Sequence, residues 1–315
     1  MIKDIFKKKN IVGWQDTFDD IFLEKFLSKS FMFGKHNSYL YGEDVITNPP
    51  NTETLVLCPD CIDHGCESNN KKRKYYPDSN ISYSFNNESY RCDNFNLEKT
   101  NNNFLFSGCS YTFGSGLPYN STWAYQLNKD LCGDQFYNLG LNANSQKAII
   151  YDIYNYIRKY GKPKAVFILF PDISRVIGFV DSLSSIEVKT RLLKEEYPNE
   201  SSRFFTQDLL YFDFYNSICA LEDYLKSIDV PFLWGTWHQE TEEVLNLVSK
   251  NFNNYVKIFT NSNSAKYFKD VKIENNMSLR YWDLSRDLTH PGIKTHMIIK
   301  NIFLYEWKKK YENIN

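Results

Sequence analysis

No stretch of about 18 apolar residues occurs in this chain, so the usual sequence sign of a membrane-spanning helix is missing. The N-terminus, MIKDIFKKKN, has no continuous apolar segment of the signal-peptide kind. Synthesis in the cytoplasm is therefore expected, with a virion or lysis as the routes to the outside. An excess of one charge is missing too: Lys+Arg 37 against Asp+Glu 38 leave a net charge of −1, unlike the basic balance of a nucleic-acid binder. The basic runs Lys7–Lys9 and Lys71–Lys74 are short and read as solvated loop. Cysteines number 7, an odd count that argues against a disulfide scaffold in a chain of 315 residues. Nucleotide signatures fail on spacing. Gly108 and Gly114 are too far apart for a phosphate loop and no Lys follows, while Gly114-Ser115-Gly116 has Tyr119 where a dinucleotide fingerprint needs its third glycine.

Aromatic residues, by contrast, are plentiful at 17%, with Tyr 23 and Phe 24. They provide large side chains for a core and for platforms that face sugars. Residues 1–100 read as an irregular accessory region: a helix is expected over Thr17–Leu27, prolines punctuate 49–77, and Ile81–Phe85 alternates like a strand. From 101 to 315 the pattern is regular. Strands are expected at Asn103–Phe106, Gln135–Asn138, Ala165–Phe170, Pro231–Gly235 and Tyr255–Thr260. Helices are expected at Ser121–Leu131, Ser145–Tyr160, Gln207–Ser227 and Gly292–Tyr311. Strands separated by helices predict a doubly wound α/β fold with a central parallel five-stranded sheet, whose reactive groups gather at the carboxyl ends of the strands. An insertion over about 172–205, centred on Asp181–Ser202, breaks the rhythm as a cap or loop.

The stretch FLFSGCSYTFGSGLP, residues 104–118, joins an apolar strand to a turn of small residues. Such a turn presents Ser110 at the carboxyl end of its strand, with backbone N–H groups beside it that can stabilise an oxyanion. Taken alone, a serine in a glycine-rich turn is usually structural. Near the C-terminus, RDLTHPG (286–292) sets Asp287 three positions before His290. A carboxylate at that spacing can fix the imidazole tautomer and leave the other ring nitrogen to take a proton from a serine.

Gly108-Cys109-Ser110-Tyr111-Thr112 resembles the first conserved block of the SGNH (GDSL-type) hydrolases. Asp287-Leu288-Thr289-His290 resembles their C-terminal block, and Asn138–Ser145 (NLGLNANS) is similar to the second. The likeness runs over roughly 101–312 and is strongest to divergent members carried by phages and other viruses. It implies a flavodoxin-like three-layer αβα fold and ester hydrolysis, often of acyl groups on carbohydrates. It also implies roles: Ser110 as nucleophile, His290 as base, Asp287 as orienting carboxylate, and the Ser110 and Gly140 N–H groups as oxyanion donors. Cys109 stands where the family often has Asp, and the blocks align Ser110 with the reactive position. Pro171, in Leu169-Phe170-Pro171-Asp172, replaces an oxyanion-hole Asn and can donate nothing. Asn144 or Arg175 is the expected substitute.

Trp237 and His238 follow a predicted strand and, with Arg175, are candidate substrate contacts; packing is the competing role for Trp237. His296, in the closing helix, reads as structural. Cys58, Cys61, His64 and Cys66, with Cys92 further on, have zinc-ligand chemistry, but the spacing misses the common fingers. Free thiols are the leading reading there, and any metal would be structural. The expected partner is a small-molecule or polysaccharide ester, with no nucleic acid, no membrane and no metal or organic cofactor needed for the chemistry. An acyltransferase of the same fold and an inactive carbohydrate-binding or virion protein are the competing functions.

Overall fold

The computed structural model describes residues 81–96, 102–142, 144–173, 175–182, 185–192, 207–259, 283, 285 and 290–312, together with three short strands nearer the N-terminus. Those three are β1 (His36–Tyr39), β2 (Val45–Thr47) and β3 (Leu55–Cys58), in a region expected to be irregular. β1 pairs with β3, and β2 pairs with β4 (Ser82–Ser84), both in parallel. The helix expected at Thr17–Leu27 and the cluster Cys58–Cys66 lie outside the described residues, apart from the backbone of Cys58.

The central sheet contains β5 (Phe104–Gly108), β6 (Phe136–Asn138), β7 (Ala165–Phe170) and β10 (Phe232–Thr236), all parallel. Their spatial order is β10-β7-β5-β6. Numbered along the chain within the sheet, that is 2-1-3-4 from the β6 edge, the flavodoxin-like order. Every residue of β5, β7 and β10 is buried, as continuous apolar runs covered on both faces should be.

Parity along the strands decides which helix each side chain meets. Phe104, Phe106 and Phe167 face α2 (Trp123–Asp130) and the closing helix α6 (Ile293–Tyr311), against Trp123, Phe303 and Trp307. Phe170 points the other way and packs on Phe214 of α4 (Gln207–Ser227), which lies beside α3 (Gln146–Tyr160). Two helical layers therefore enclose the sheet. The remaining elements are a helical turn α1 (Ser110–Phe113), an antiparallel hairpin of β8 (Arg175–Ser182) and β9 (Ser185–Leu192), and α5 (Gln239–Val248). The hairpin occupies the expected insertion.

The sheet has four strands, not the five expected. The segment expected as a strand at Tyr255–Thr260 forms a single bridge to Trp234, flanked by Trp234 N–H to Asn254 O (3.0 Å) and Val256 N–H to Trp234 O (2.7 Å). Beyond it, the buried Glu242 carboxylate accepts from the N–H groups of Ile258 (2.6 Å) and Phe259 (2.9 Å). Donors that would extend the ladder are thus drawn to a side chain of α5. Among the described residues, no helix is long and apolar enough to cross a membrane.

α6 is fastened to α2 by His296. Its Nδ1 accepts the Trp123 N–H at 2.9 Å, one of the orphan donors of the first helical turn. Burial, then the nearby charges of His290 and Arg91, pulls the His296 pKa down to about 3. The imidazole is therefore neutral in the fold, whereas the unfolded chain takes up a proton near its ordinary value of about 6.5. Its contribution to stability is complete above that value and is lost as pH falls, at up to about 1.4 kcal/mol per pH unit. Urea unfolding between pH 6.5 and 5 (roughly the start of that window) should show this slope. His296→Asn, which keeps an acceptor for Trp123, should flatten it, and equal slopes in both proteins would remove His296 as the source.

Candidate active site

In this strand order the chain reverses direction of progress between β5 and β7, and the crevice at their carboxyl ends is where such sheets bind ligands. β5 ends there at Gly108. A Cβ on Gly108 would sit 2.1 Å from Thr112 Oγ1 and 2.7 Å from Leu169 O, so the close approach of α1 and β7 requires glycine. Cys109 is extended (φ −101°, ψ −150°), and its carbonyl accepts from the N–H groups of Thr112 and Phe113, each at 2.9 Å, which starts α1. Gly114 closes it in the left-handed region at φ 81°. Ser110 is the first residue of this turn and is buried, and its own N–H has no acceptor within the helix.

Cys109 is also buried. Its Sγ accepts the Trp237 indole N–H at 2.9 Å and lies 3.9 Å from Ser110 Oγ. Burial pushes the thiol pKa up, against the opposing pull of the Arg175 charge and the Trp237 and Ser110 hydrogen bonds. A buried protonated thiol is a weak nucleophile.

The segment 138–145 forms the neighbouring wall. Asn138 donates from Nδ2 to Thr112 O and accepts the Gly140 N–H on Oδ1, both at 2.8 Å. Leu141 N–H reaches Gly108 O at 3.2 Å, and a Cβ on Gly140 would meet Phe113 N at 2.5 Å. This wall is pressed directly onto the serine turn. Ser115 Oγ donates to Asn142 Oδ1 at 2.6 Å. Asn144 accepts the Ser145 N–H at 3.1 Å, while its amide is buried toward the carboxyl of Asp152 on α3. Burial raises the Asp152 pKa well above its ordinary value, against the pull of the Asn144 and Tyr90 side chains. Two of the expected oxyanion donors are thus occupied within the protein or turned to another buried group.

Tyr111 links the remaining pieces. Its ring stacks on Trp237 at 4.2 Å and meets the His290 ring edge-on at 5.9 Å. His290 is thereby brought against the residue next to Ser110; Asp287 lies outside the described residues. The backbone around His290 is pinned by Ser285 N–H to His290 O (2.8 Å) and Gly292 N–H to Asp283 O (2.9 Å). Asp283 also caps α6, accepting from the N–H groups of Lys294 and Thr295 at 2.9 Å each. Trp237 is buried, so it packs against the protein, and Arg175 lies over its ring at 5.5 Å. His238 places Nε2 3.6 Å from Asp172 Oδ2 and Nδ1 2.9 Å from Thr241 Oγ1, so both ring nitrogens are engaged at the start of α5. Cys92, distant in sequence from the other cysteines of its proposed cluster, is a buried free thiol that accepts from Asn86 Nδ2 at 3.3 Å. Among the described residues there is no group of His, Cys, Asp and Glu arranged to hold a metal ion.

Sequence reasoning missed the residue that holds the serine turn. Arg91, buried, donates from Nη1 to Phe113 O (3.2 Å) and Gly114 O (2.8 Å), and from Nη2 to Leu117 O (2.9 Å) and Ser82 O (3.2 Å). Its guanidinium lies over the rings of Tyr83 (4.2 Å) and Phe113 (5.4 Å). No local pattern announces an arginine that caps a turn 22 residues away. The Asn138 amide on Thr112 O and the Asp283 carboxylate on Thr295 N–H were missed for the same reason, since these partners are distant in the chain.

No family model and no curated protein matches this sequence. Similar solved structures include a lipolytic protein of the G-D-S-L family from Veillonella parvula DSM 2008, at 14% identity over 67% of this chain and 99% of that one, TM-score 0.40. A lipolytic protein of that family from Desulfitobacterium hafniense DCB-2 has 14% identity over 65% and 99%, TM-score 0.39. An acylhydrolase from Bacteroides fragilis NCTC 9343 has 13% identity over 67% and 89%, TM-score 0.38. These likenesses are distant. The class is defined by the chain itself: a flavodoxin-like α/β protein with a serine turn at its switch point.

Arg91→Met should leave buried carbonyls without donors and lower stability on the order of 3–5 kcal/mol, read as the shift in urea unfolding. Arg91→Lys should recover only part, because a single ammonium cannot span all of these acceptors. Unchanged stability in Arg91→Met would show the turn to be self-supporting.

Proposed function

We propose that this protein is a serine hydrolase acting on esters, with Ser110 as nucleophile, His290 as base and Asp287 as its orienting carboxylate. The observation that carries the reading is the serine turn at the switch point, with the ring of the next residue against His290. Ser110 Oγ attacks the ester carbonyl carbon while its proton passes to His290. The tetrahedral oxyanion is met by the Ser110 N–H, and by the Gly140 N–H once Asn138 Oδ1 releases it. Collapse breaks the bond to the alcohol, which leaves with the proton from His290. Water then attacks the acyl-serine with His290 again as base, releasing the acid and restoring Ser110. The substrate we favour is an O-acetyl group on a carbohydrate, a reading supported by the resemblance of the motif blocks.

A second reading has its own support. Pro171 has no donor to offer, and the Gly140 N–H is already bonded to Asn138. Both favour a protein that binds a carbohydrate ester without turning it over. Hydrolysis of p-nitrophenyl acetate separates the two: Ser110→Ala should lower kcat on the order of 10³-fold or more. A fluorophosphonate probe should label Ser110 and leave Cys109 unmodified. Equal rates in wild type and Ser110→Ala would sink the hydrolase reading. Acetylation of a sugar acceptor, instead of net hydrolysis, would make the enzyme a transferase.

A further inference from the structure

We propose that Arg175 forms an anion subsite beside Ser110, so that the preferred ester carries a carboxylate next to the scissile group. The inference rests on the serine-hydrolase reading above and narrows its substrate class to acidic esters, such as O-acetylated uronic acids. Two arginines bracket the serine turn, and their partners differ sharply. Arg91 spends both terminal nitrogens on backbone carbonyls. Arg175 has a terminal nitrogen, Nη1, that is buried and has no hydrogen-bond partner among the described residues. The Asp172 carboxylate at the same strand end is directed to His238 instead. An unpaired guanidinium N–H out of water costs about 1–3 kcal/mol, so such a group in a native fold asks for an explanation.

Position supplies one. Arg175 opens β8 just past the carboxyl end of β7, on the switch-point crevice. Its guanidinium rests on the Trp237 indole, the ring that also stacks on Tyr111 and donates to Cys109 Sγ. Tyr111 and Cys109 are the two chain neighbours of Ser110. The Trp237 backbone is itself anchored, its N–H donating to Phe170 O at 3.2 Å. The cation therefore sits on a rigid aromatic shelf within electrostatic reach of the nucleophile turn, and its field opposes the burial effect on the Cys109 thiol. A planar guanidinium with an unpaired N–H matches a carboxylate better than any neutral group.

The test compares two acetyl esters of one aromatic ring, para-acetoxybenzoate and its methyl ester, and follows how their kcat/KM ratio changes with the residue at position 175. Wild type should prefer the anion by about tenfold or more in kcat/KM, as expected for a hydrogen bond to a charged group. Arg175→Gln should bring the ratio close to one, and Arg175→Lys should keep part of the preference. O-acetylated galacturonate against O-acetylated galactose should repeat the pattern. Turnover with no charge preference, or a ratio unchanged in Arg175→Gln, would overturn the subsite and leave the hydrolase reading standing. Absence of turnover, with calorimetric binding of para-acetoxybenzoate that is lost in Arg175→Gln, would support the subsite and remove the hydrolase reading.

Discussion

Carbonyl groups at the end of a short helix have no partner inside it, and α1 is followed by glycines that cannot shield them. Arg91 supplies the donors: its guanidinium gathers the carbonyls of Phe113, Gly114 and Leu117 and ties them to Ser82 of β4. The Tyr83 hydroxyl adds an acceptor for the Gly116 N–H at 3.2 Å. A buried cation is tolerable here because carbonyl dipoles and two aromatic faces surround it. Ser110 then has a fixed place at the switch point. Residues 81–96 thus take part in holding the site, through Arg91 and through Tyr90 and Cys92 in the main core.

The opposite side of the turn is held by a different chemistry. Asn138 ends β6 and uses its amide as a clip, one atom on Thr112 O and the other on the Gly140 N–H. Close packing makes the clip necessary, since Gly140 leaves no room even for a Cβ. Tyr111 then transmits the position of the turn to Trp237 on one strand end and to His290 before α6. Aromatic stacking is well suited to this task, because broad rings keep their contact over small shifts while fixing direction.

How much of this is legible in the sequence follows from how local each cause is. The run Ala165–Phe170 is apolar throughout and becomes β7 with the same bounds; Gln207–Ser227 becomes α4. Ser145 and Thr122 cap α3 and α2 from the adjacent position, so those starts are readable to within one or two residues. The absence of the fifth strand from the described sheet is not readable, because Glu242 takes its donors from 16 residues away. The hairpin at 175–192 is missed because its residues mix charge and apolar character without turn chemistry that stands out from a loop. Ser110 and His290 are singled out by motif, yet what sets their surroundings is non-local: Arg91, Asp283 and the Asn138 amide on Thr112 O reach partners that only the fold brings near.

The distribution of N–H donors around the turn bears on whether the site turns over. A pre-formed oxyanion hole keeps donors pointed at empty space, and each such donor is destabilising until substrate arrives. Here the fold has satisfied the Gly140 N–H with Asn138 Oδ1, and Pro171 removes another donor from the edge. Among the described residues, the buried Nδ2 groups of Asn142 and Asn144 and, on the shelf beyond Tyr111, the Nη1 of Arg175 have no hydrogen-bond partner. The two amides are neutral dipoles, whereas the guanidinium carries a full charge that acts over a longer range. On the proposed hydrolase reading, recognition is weighted toward a charged part of the ligand. On the same reading the reacting carbonyl competes with Asn138 for the Gly140 N–H, so binding and turnover would draw on different residues.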